Sequence, residues 1–339
     1  MSYSCTFDLS AEGKFFGHVP IPWSRDEAGW GDLMVPVISI RHGAGPCALV
    51  IAGNHGDEWE GQFAIRNIAR ELQPRDVKGQ IIFVPALNFP AVLNNSRCSP
   101  IDKLNMNRIF PGDSRGSVTQ KIAAFVYQEL VRRADFVLDL HAGGRTLMCA
   151  TYGAMHRYPD AELSRKTLGL MRAFGAPISL IFEAEPDRDG MLDTAVEDLG
   201  KPFFCVELGG SGTVTARSIG VAARGVRGVL NHAGITSTPL PAVPDTRIME
   251  IPANGFVRAA DHGLFEPFVE MGEVVRAGQA IGQMHSPHLP EREPLQHTVR
   301  CDGEVLVRRT SGLASHGDCV LAVGRPVDAN VALGLSRAV

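Results

Sequence analysis

An apolar run that stops at a glycine and gives way to a histidine and carboxylates constrains this chain more than any other feature. Ala48 to Ala52 (A-L-V-I-A) is followed by Gly53 and then by N-H-G-D-E-W-E, ending at Glu60. A run so uniformly apolar suits a strand covered on both faces, and polar residues just past its end stand where open α/β sheets carry their ligands. His55 and Glu58 are three residues apart. On a tight strand-to-helix turn, that spacing lets an imidazole and a carboxylate converge on one ion. Zinc takes both ligand types, and two histidines plus one glutamate with an open fourth position form a catalytic set. The set requires a second histidine at the end of another strand.

The same grammar recurs along the chain. Val35–Ile40, Cys47–Ala52, Gln80–Pro85, Ala134–Leu140, Ile178–Phe182 and Pro202–Leu208 read as strands. Amphipathic helices separate most of them. In the first, Ala64, Ile65, Ile68, Ala69 and Leu72 share one face, Gln62, Arg66, Asn67 and Arg70 lie on the other, and Pro74 ends it. Ser117 and Gln120 form a capping box for a helix through Arg132, and further helices are expected over 160–174, 192–199 and from 212 to about His232. Strands alternating with helices predict an α/β domain with a mostly parallel or mixed sheet flanked by helices. Residues 1–34 read as an N-terminal arm or hairpin, 35–235 as the catalytic domain and the proline-marked 236–247 as a linker. Residues 248–339, where glycines break up short strands, read as a small all-β domain serving as a cap or assembly module.

Charge and cysteine usage exclude several classes. Thirty-three basic against thirty-seven acidic residues, a net charge of −4, give no basis for nucleic acid or an anionic membrane as partner. Seven cysteines without a C-x-x-C suit a reducing compartment better than a disulfide framework, and Cys205, inside an apolar strand, reads as core. The N-terminus has no basic and apolar signal regions, and no run approaches a membrane span. The chain reads as a soluble cytoplasmic protein whose partner is a small molecule, with assembly into a homo-oligomer left open.

Four polar residues sit at or just past strand ends: His55, Glu58, His141 and Glu207. His55, Glu58 and His141 are the expected ligands of one zinc ion per chain, with a position left for water, and Glu207 is the expected general base. Asp139, two before His141 on the same strand face, is placed to orient its imidazole. Taken singly, a histidine at a strand end is more often structural than a ligand, and H-x-x-E arises by chance. The agreement of four strand ends, each beside glycines, raises zinc above another divalent metal and above no metal. The long aperiodic segment 88–116 carries Arg97, Asn107 and Arg108. An Asn-Arg pair can hold a carboxylate through charge-assisted bonds, and Arg97 can do the same or polarise a scissile carbonyl.

G-N-H-G-D-E-W-E-G, L-N-M-N-R-I-F-P-G, D-L-H-A-G-G and V-E-L-G-G, in that order, resemble the motifs of the succinylglutamate desuccinylase/aspartoacylase family. That family is a branch of the zinc carboxypeptidase-like fold, and the resemblance spans roughly residues 35–235. It implies zinc on His55, Glu58 and His141, Glu207 as base, Arg97 as carbonyl polariser, and Asn107 with Arg108 on a substrate α-carboxylate. P-W-S-R-D-E-A-G-W-G and S-P-I-D-K-L-N-M-N-R-I-F-P-G are similar to the branch that removes acetyl from Nα-acetyl-L-2,4-diaminobutyrate in ectoine breakdown. The loop after Phe182, E-A-E-P-D-R-D-G, supplies carboxylates that could pair with a side-chain ammonium, Glu183 first among them. Alternatives are a deacylase of acidic amino acids, a carboxypeptidase, and a non-catalytic metal-binding or interaction protein. The C-terminal region resembles a lipoyl/biotinyl hammerhead, but Lys201 is the last lysine, so it has no attachment lysine, and its histidines (285, 288, 297, 316) read as structural.

Overall fold

The computed structural model describes residues 4–182, 189–242 and 244–334. In chain order the elements are β1 Gly13–Pro22, β2 Asp32–His42, β3 Cys47–Ala52, α1 Glu60–Glu71, β4 Gly79–Val84, α2 Phe89–Asn94, α3 Val118–Phe125 and β5 Phe136–His141. They continue with β6 Leu147–Cys149, β7 Tyr152–His156, α4 Ala161–Phe174, β8 Ile178–Phe182, α5 Leu192–Glu197, β9 Phe203–Glu207, α6 Ala216–His232 and β10 Arg247–Glu250. The main sheet runs β1-β2-β4-β3-β5-β9-β7-β8-β10 and then continues into the C-terminal strands Cys319–Pro326 and Gly303–Arg309. Its centre, β4-β3-β5-β9, is parallel; β1 and β2 join antiparallel, and β7 runs antiparallel to β9 but parallel to β8. The sheet is therefore mixed and flanked by helices, as the alternation of elements predicts.

The parallel strands are uniformly apolar because both faces are covered. On one side Ala64, Ile65 and Ile68 of α1, Leu168 and Met171 of α4 and Val226 and Val229 of α6 pack on Val50, Leu138 and Phe204. On the other side Ile122, Phe125 and Val126 pack on Leu49, Ile82 and Val137. The N-terminal residues form a long edge hairpin, with β1 paired along its whole length to β2. The Ser117–Gln120 capping box is present, but the helix it starts passes into a π-helical stretch over Val126–Val131. The antiparallel strand β7, with the short β6 before it, has no counterpart among the expected strands, because Y-G-A-M-H lacks the β-branched residues that mark the others.

Residues beyond β10 are short strands, four of them in a second, antiparallel sheet built from Gly263–Pro267, Ala280–His285, Leu295–Thr298 and Leu313–Ala314. They enclose a separate core around Phe265, Val275, Ile281 and Val323. This module leans on the main sheet through Leu306, Val307 and Ala322, which pack on Cys149, Tyr152 and Leu180. Among the described residues, no helix is long and apolar enough to cross a membrane.

Candidate metal centre and active site

The turn after β3 is shaped by two glycines. Gly53 has a φ of +71°, which a side chain would strain, and a Cβ on Gly56 would lie 2.0 Å from the Ala91 carbonyl carbon. The Gly56 amide donates to the Ser96 carbonyl at 2.9 Å, fixing this turn to the segment that carries Arg97. Gln62, expected on the solvent face of α1, is instead buried, because its Nε2 donates to the Glu58 carbonyl at 2.8 Å. The turn is thus braced from both ends.

The structure brings His55, Glu58 and His141 together, with one donor atom of each within 4.8 Å of the others, and all three are buried. Glu58 lies between the imidazoles: Oε1 is 2.8 Å from His55 Nδ1 and Oε2 is 2.8 Å from His141 Nδ1. The far ring nitrogens are occupied. His141 Nε2 lies 2.8 Å from Asp139 Oδ2, which also accepts from Asn54 Nδ2 at 2.9 Å, and His55 Nε2 lies 3.2 Å from Asn105 Oδ1. With Nε2 donating to Asp139 or Asn105, each imidazole, once Nδ1 gives up its proton, can turn that nitrogen's lone pair to an ion shared with Glu58. Two nitrogens and one carboxylate, buried and oriented this way, fit a divalent metal ion.

Electrostatics bind the cluster together. Burial pushes the Glu58 carboxyl up, but the charges of the two imidazoles outweigh it and hold it below the usual range. Burial lowers His55; for His141, burial acts in the same direction but Asp139 and Glu58 overcome it and hold the imidazole well above its ordinary value. Glu207 feels the same cluster with the opposite outcome. Burial, and then the charge of Glu58, push its carboxyl up to about 7, and its Oε2 has no hydrogen-bond partner among the described residues. A buried carboxylate oxygen without a partner is an acceptor held ready.

These residues line one cavity of about 370 Å³, together with Arg97, Asn107 and Arg108. Arg97 Nη1 lies 3.6 Å from Glu58 Oε1 and 3.3 Å from His55 Nδ1, so the guanidinium sits directly over the cluster. Asn107 Oδ1 accepts from the Leu192 amide at 2.9 Å, which leaves Nδ2 to donate to a ligand; Arg108 Nη1 donates to the Asn107 carbonyl at 2.6 Å. Asp102 anchors the segment, accepting from Ser117 Oγ, the Thr119 amide and Thr119 Oγ1 at 2.6, 2.9 and 2.7 Å. Glu183 lies outside the described residues.

Three contributions escaped the sequence reading. Asn105, two before Asn107 in L-N-M-N-R, holds His55. Cys205, which packs on the core as read, also lines the cavity. Phe256 and Arg258 reach the cavity from the C-terminal module, and nothing in a chain read locally marks residues that arrive from another module.

A mixed α/β sheet that gathers two histidines and a glutamate at its central strand ends, beside a buried carboxylate, defines a hydrolase with a metal-type centre. The sequence profile of the succinylglutamate desuccinylase/aspartoacylase catalytic domain matches residues 44–233. An N-alpha-acetyl-L-2,4-diaminobutyric acid deacetylase from Halomonas elongata is 39% identical over 327 residues, 96% of this chain and 95% of that protein. The product-bound structure of the ectoine utilization protein EutE (DoeB) from Ruegeria pomeroyi superposes with a TM-score of 0.92 at 39% identity, over 95% of this chain and 98% of that one. A succinylglutamate desuccinylase/aspartoacylase from Rhodobacter sphaeroides does so with a TM-score of 0.91 at 34% identity, over 97% of this chain and all of that one. The chain belongs to the succinylglutamate desuccinylase/aspartoacylase family, and with it to the hydrolases of N-acyl amino acids.

Proposed function

We propose that the protein is a zinc-dependent deacylase that releases acetate from Nα-acetyl-L-2,4-diaminobutyrate, a step of ectoine breakdown. The observation that carries this reading is the convergence of His55, Glu58, His141 and a Glu207 Oε2 unpartnered among the described residues on a cavity that Asn107 and Arg108 also line. The named activity of the Halomonas elongata relative, similar over nearly the full chain, supports the substrate.

His55, Glu58 and His141 would hold the zinc, which when bound supplies a Lewis acid that activates water and polarises the amide carbonyl. Glu207 takes the proton of the attacking water and delivers it to the amide nitrogen as the C–N bond breaks. Arg97, over the cluster, stabilises the negative charge that develops on the carbonyl oxygen. Asn107 and Arg108 hold the α-carboxylate and so fix which amide faces Glu207. We further propose the division into an arm (1–34), a catalytic domain (35–235), a linker (236–247) and a β module (248–339) that walls the cavity with Phe256 and Arg258.

The test is acetate release from Nα-acetyl-L-2,4-diaminobutyrate beside Nα-acetyl-L-aspartate, with and without a zinc chelator. Chelator-sensitive release from the diamino acid derivative is expected. Preference for acetyl-aspartate would replace the substrate and keep the site, and release that survives complete metal removal would overturn the zinc assignment.

A further inference from the structure

A second cavity of about 210 Å³ adjoins the catalytic one and shares Met191, Cys205 and Phe256 with it. Its floor continues that of the catalytic cavity. On β9, Glu207, Cys205 and Phe203 alternate onto one face of the sheet, and on antiparallel β7 Tyr152 pairs with Glu207 and Ala154 with Cys205. Glu207 and Tyr152 line the catalytic cavity, Phe203 and Ala154 line the second, and Cys205 stands where they meet. At about 3.3 Å per residue, the second cavity starts about 7 Å from Glu207 along the strand and reaches about 13 Å.

Among the described residues, its walls are apolar apart from His156 and Asp193. Asp193 lies in the first turn of α5, with a side chain only 18% exposed. Its Oδ1 accepts from the Thr194 amide and hydroxyl at 2.5 and 3.2 Å. Its Oδ2 lies 3.9 Å from His156 Nδ1, beyond a hydrogen bond, and that nitrogen is closer, 3.0 Å, to Glu197 Oε1. Burial raises the Asp193 carboxyl, with the His156 charge working against it. Apart from its ion pair with His156, Oδ2 makes no hydrogen bond among the described residues, so it can take a cation that a ligand brings.

We propose that Asp193 selects the substrate by pairing with the side-chain ammonium of an Nα-acyl diamino acid whose amide lies at Glu207. The assignment rests on the deacylase reading above and names the residue that sets its amino-acid class. The dimensions agree. Four bonds separate the two nitrogens of a 2,4-diaminobutyrate skeleton, about 5 Å when extended. A charge-assisted hydrogen bond adds about 2.8 Å, and the sum falls within the span of the second cavity. An acetyl-aspartate side chain would instead set its carboxylate against Asp193, which repels it.

The experiment compares wild type, Asp193→Asn and Asp193→Glu on Nα-acetyl-L-2,4-diaminobutyrate and on its neutral isostere Nα-acetyl-L-norvaline. The quantity read is the ratio of kcat/KM for the charged over the neutral substrate, which a general structural defect does not alter. Asp193→Asn is expected to lower that ratio about 100-fold, mainly through KM, and Asp193→Glu to restore part of it. If the Asn variant fails to fold, Asp193→Ser reports through the same ratio. A wild type that prefers the diamino acid, with an Asn variant that keeps the preference or loses both activities equally, overturns the role of Asp193 alone. A wild type without that preference overturns the substrate reading and this assignment together.

Discussion

His141 and Glu207 are register partners on the adjacent parallel strands β5 and β9. Their Cα atoms are held about 4.8 Å apart by the sheet itself. The sheet therefore sets the spacing between a metal-type ligand and the carboxylate read as the base, with no dependence on loop conformation. Glu58 arrives at His141 from the turn after β3, on the other side of β5. Two strand ends and one turn thus build the reacting centre on the parallel core of the sheet.

Replacing Glu207 by Gln keeps the shape of the side chain and removes its ability to accept a proton. Turnover is expected to fall about 10³-fold. Zinc content per chain, measured by elemental analysis, is expected to stay at the wild-type level, because Glu207 is not in the cluster of His55, Glu58 and His141. A variant that turns over near the wild-type rate would remove Glu207 from the proton transfer.

The partners of the two imidazoles make a separate prediction. Asp139→Ala frees His141 Nε2 and Asn105→Ala frees His55 Nε2, so each ring can rotate or take the wrong tautomer. Each variant is expected to bind zinc about 10- to 100-fold more weakly, read by competition with a chromogenic chelator. The Asp139 variant should suffer more, since Asp139 also holds Asn54 and supplies negative charge to His141. Unaltered affinity in both variants would mean that packing alone orients the rings.

Much of this site was legible because parallel strands are apolar throughout, so the polar residue that ends each one stands out. His55, Glu58, His141 and Glu207 all carry that mark, and all four line one cavity. Gln62 misled because polarity and periodicity describe average faces, whereas this side chain is placed by a particular partner; Cys205 packs on the core as read and also borders the cavity. Gln62 is buried to brace Glu58. The C-terminal wall was beyond local reading, since Phe256 and Arg258 come from one short strand more than a hundred residues after His141. That resembles the general limit of sequence patterns: they report which face is buried, not what buries it.

Arg108 offers a test of how the substrate is held. Its guanidinium lines the cavity beside Asn107, whose Oδ1 is already committed to the Leu192 amide. Arg108→Ala is expected to raise KM for an Nα-acyl amino acid about 10- to 100-fold by removing a charge-assisted bond to the α-carboxylate. The same substitution should alter KM by less than about twofold for N-acetyl-1,3-diaminopropane, the substrate analogue without that carboxylate. Equal losses on both compounds would show that Arg108 shapes the segment and does not read the carboxylate.

The segment that presents Arg97, Asn107 and Arg108 has its own pH dependence, set by Asp102. Burial pushes this carboxyl up, but hydrogen bonds from Ser117, Thr119 and Leu104 outweigh it and hold it below its ordinary value of 3.8. A carboxyl lowered in the folded state contributes stability that is fully present above its unfolded value and disappears as pH falls through the folded one. Wild type should therefore lose stability from about pH 4 downward, as Asp102 takes up a proton and releases the start of α3. Asp102→Asn keeps the shape and lacks the charge, so it should be less stable than wild type at pH 7, and the gap should close as pH falls below the folded value. Thermal melts at pH 7 and at steps below pH 4 measure this gap. A gap that stays constant across that range would mean that the bonds to Ser117 and Thr119 depend on geometry and not on the charge of Asp102.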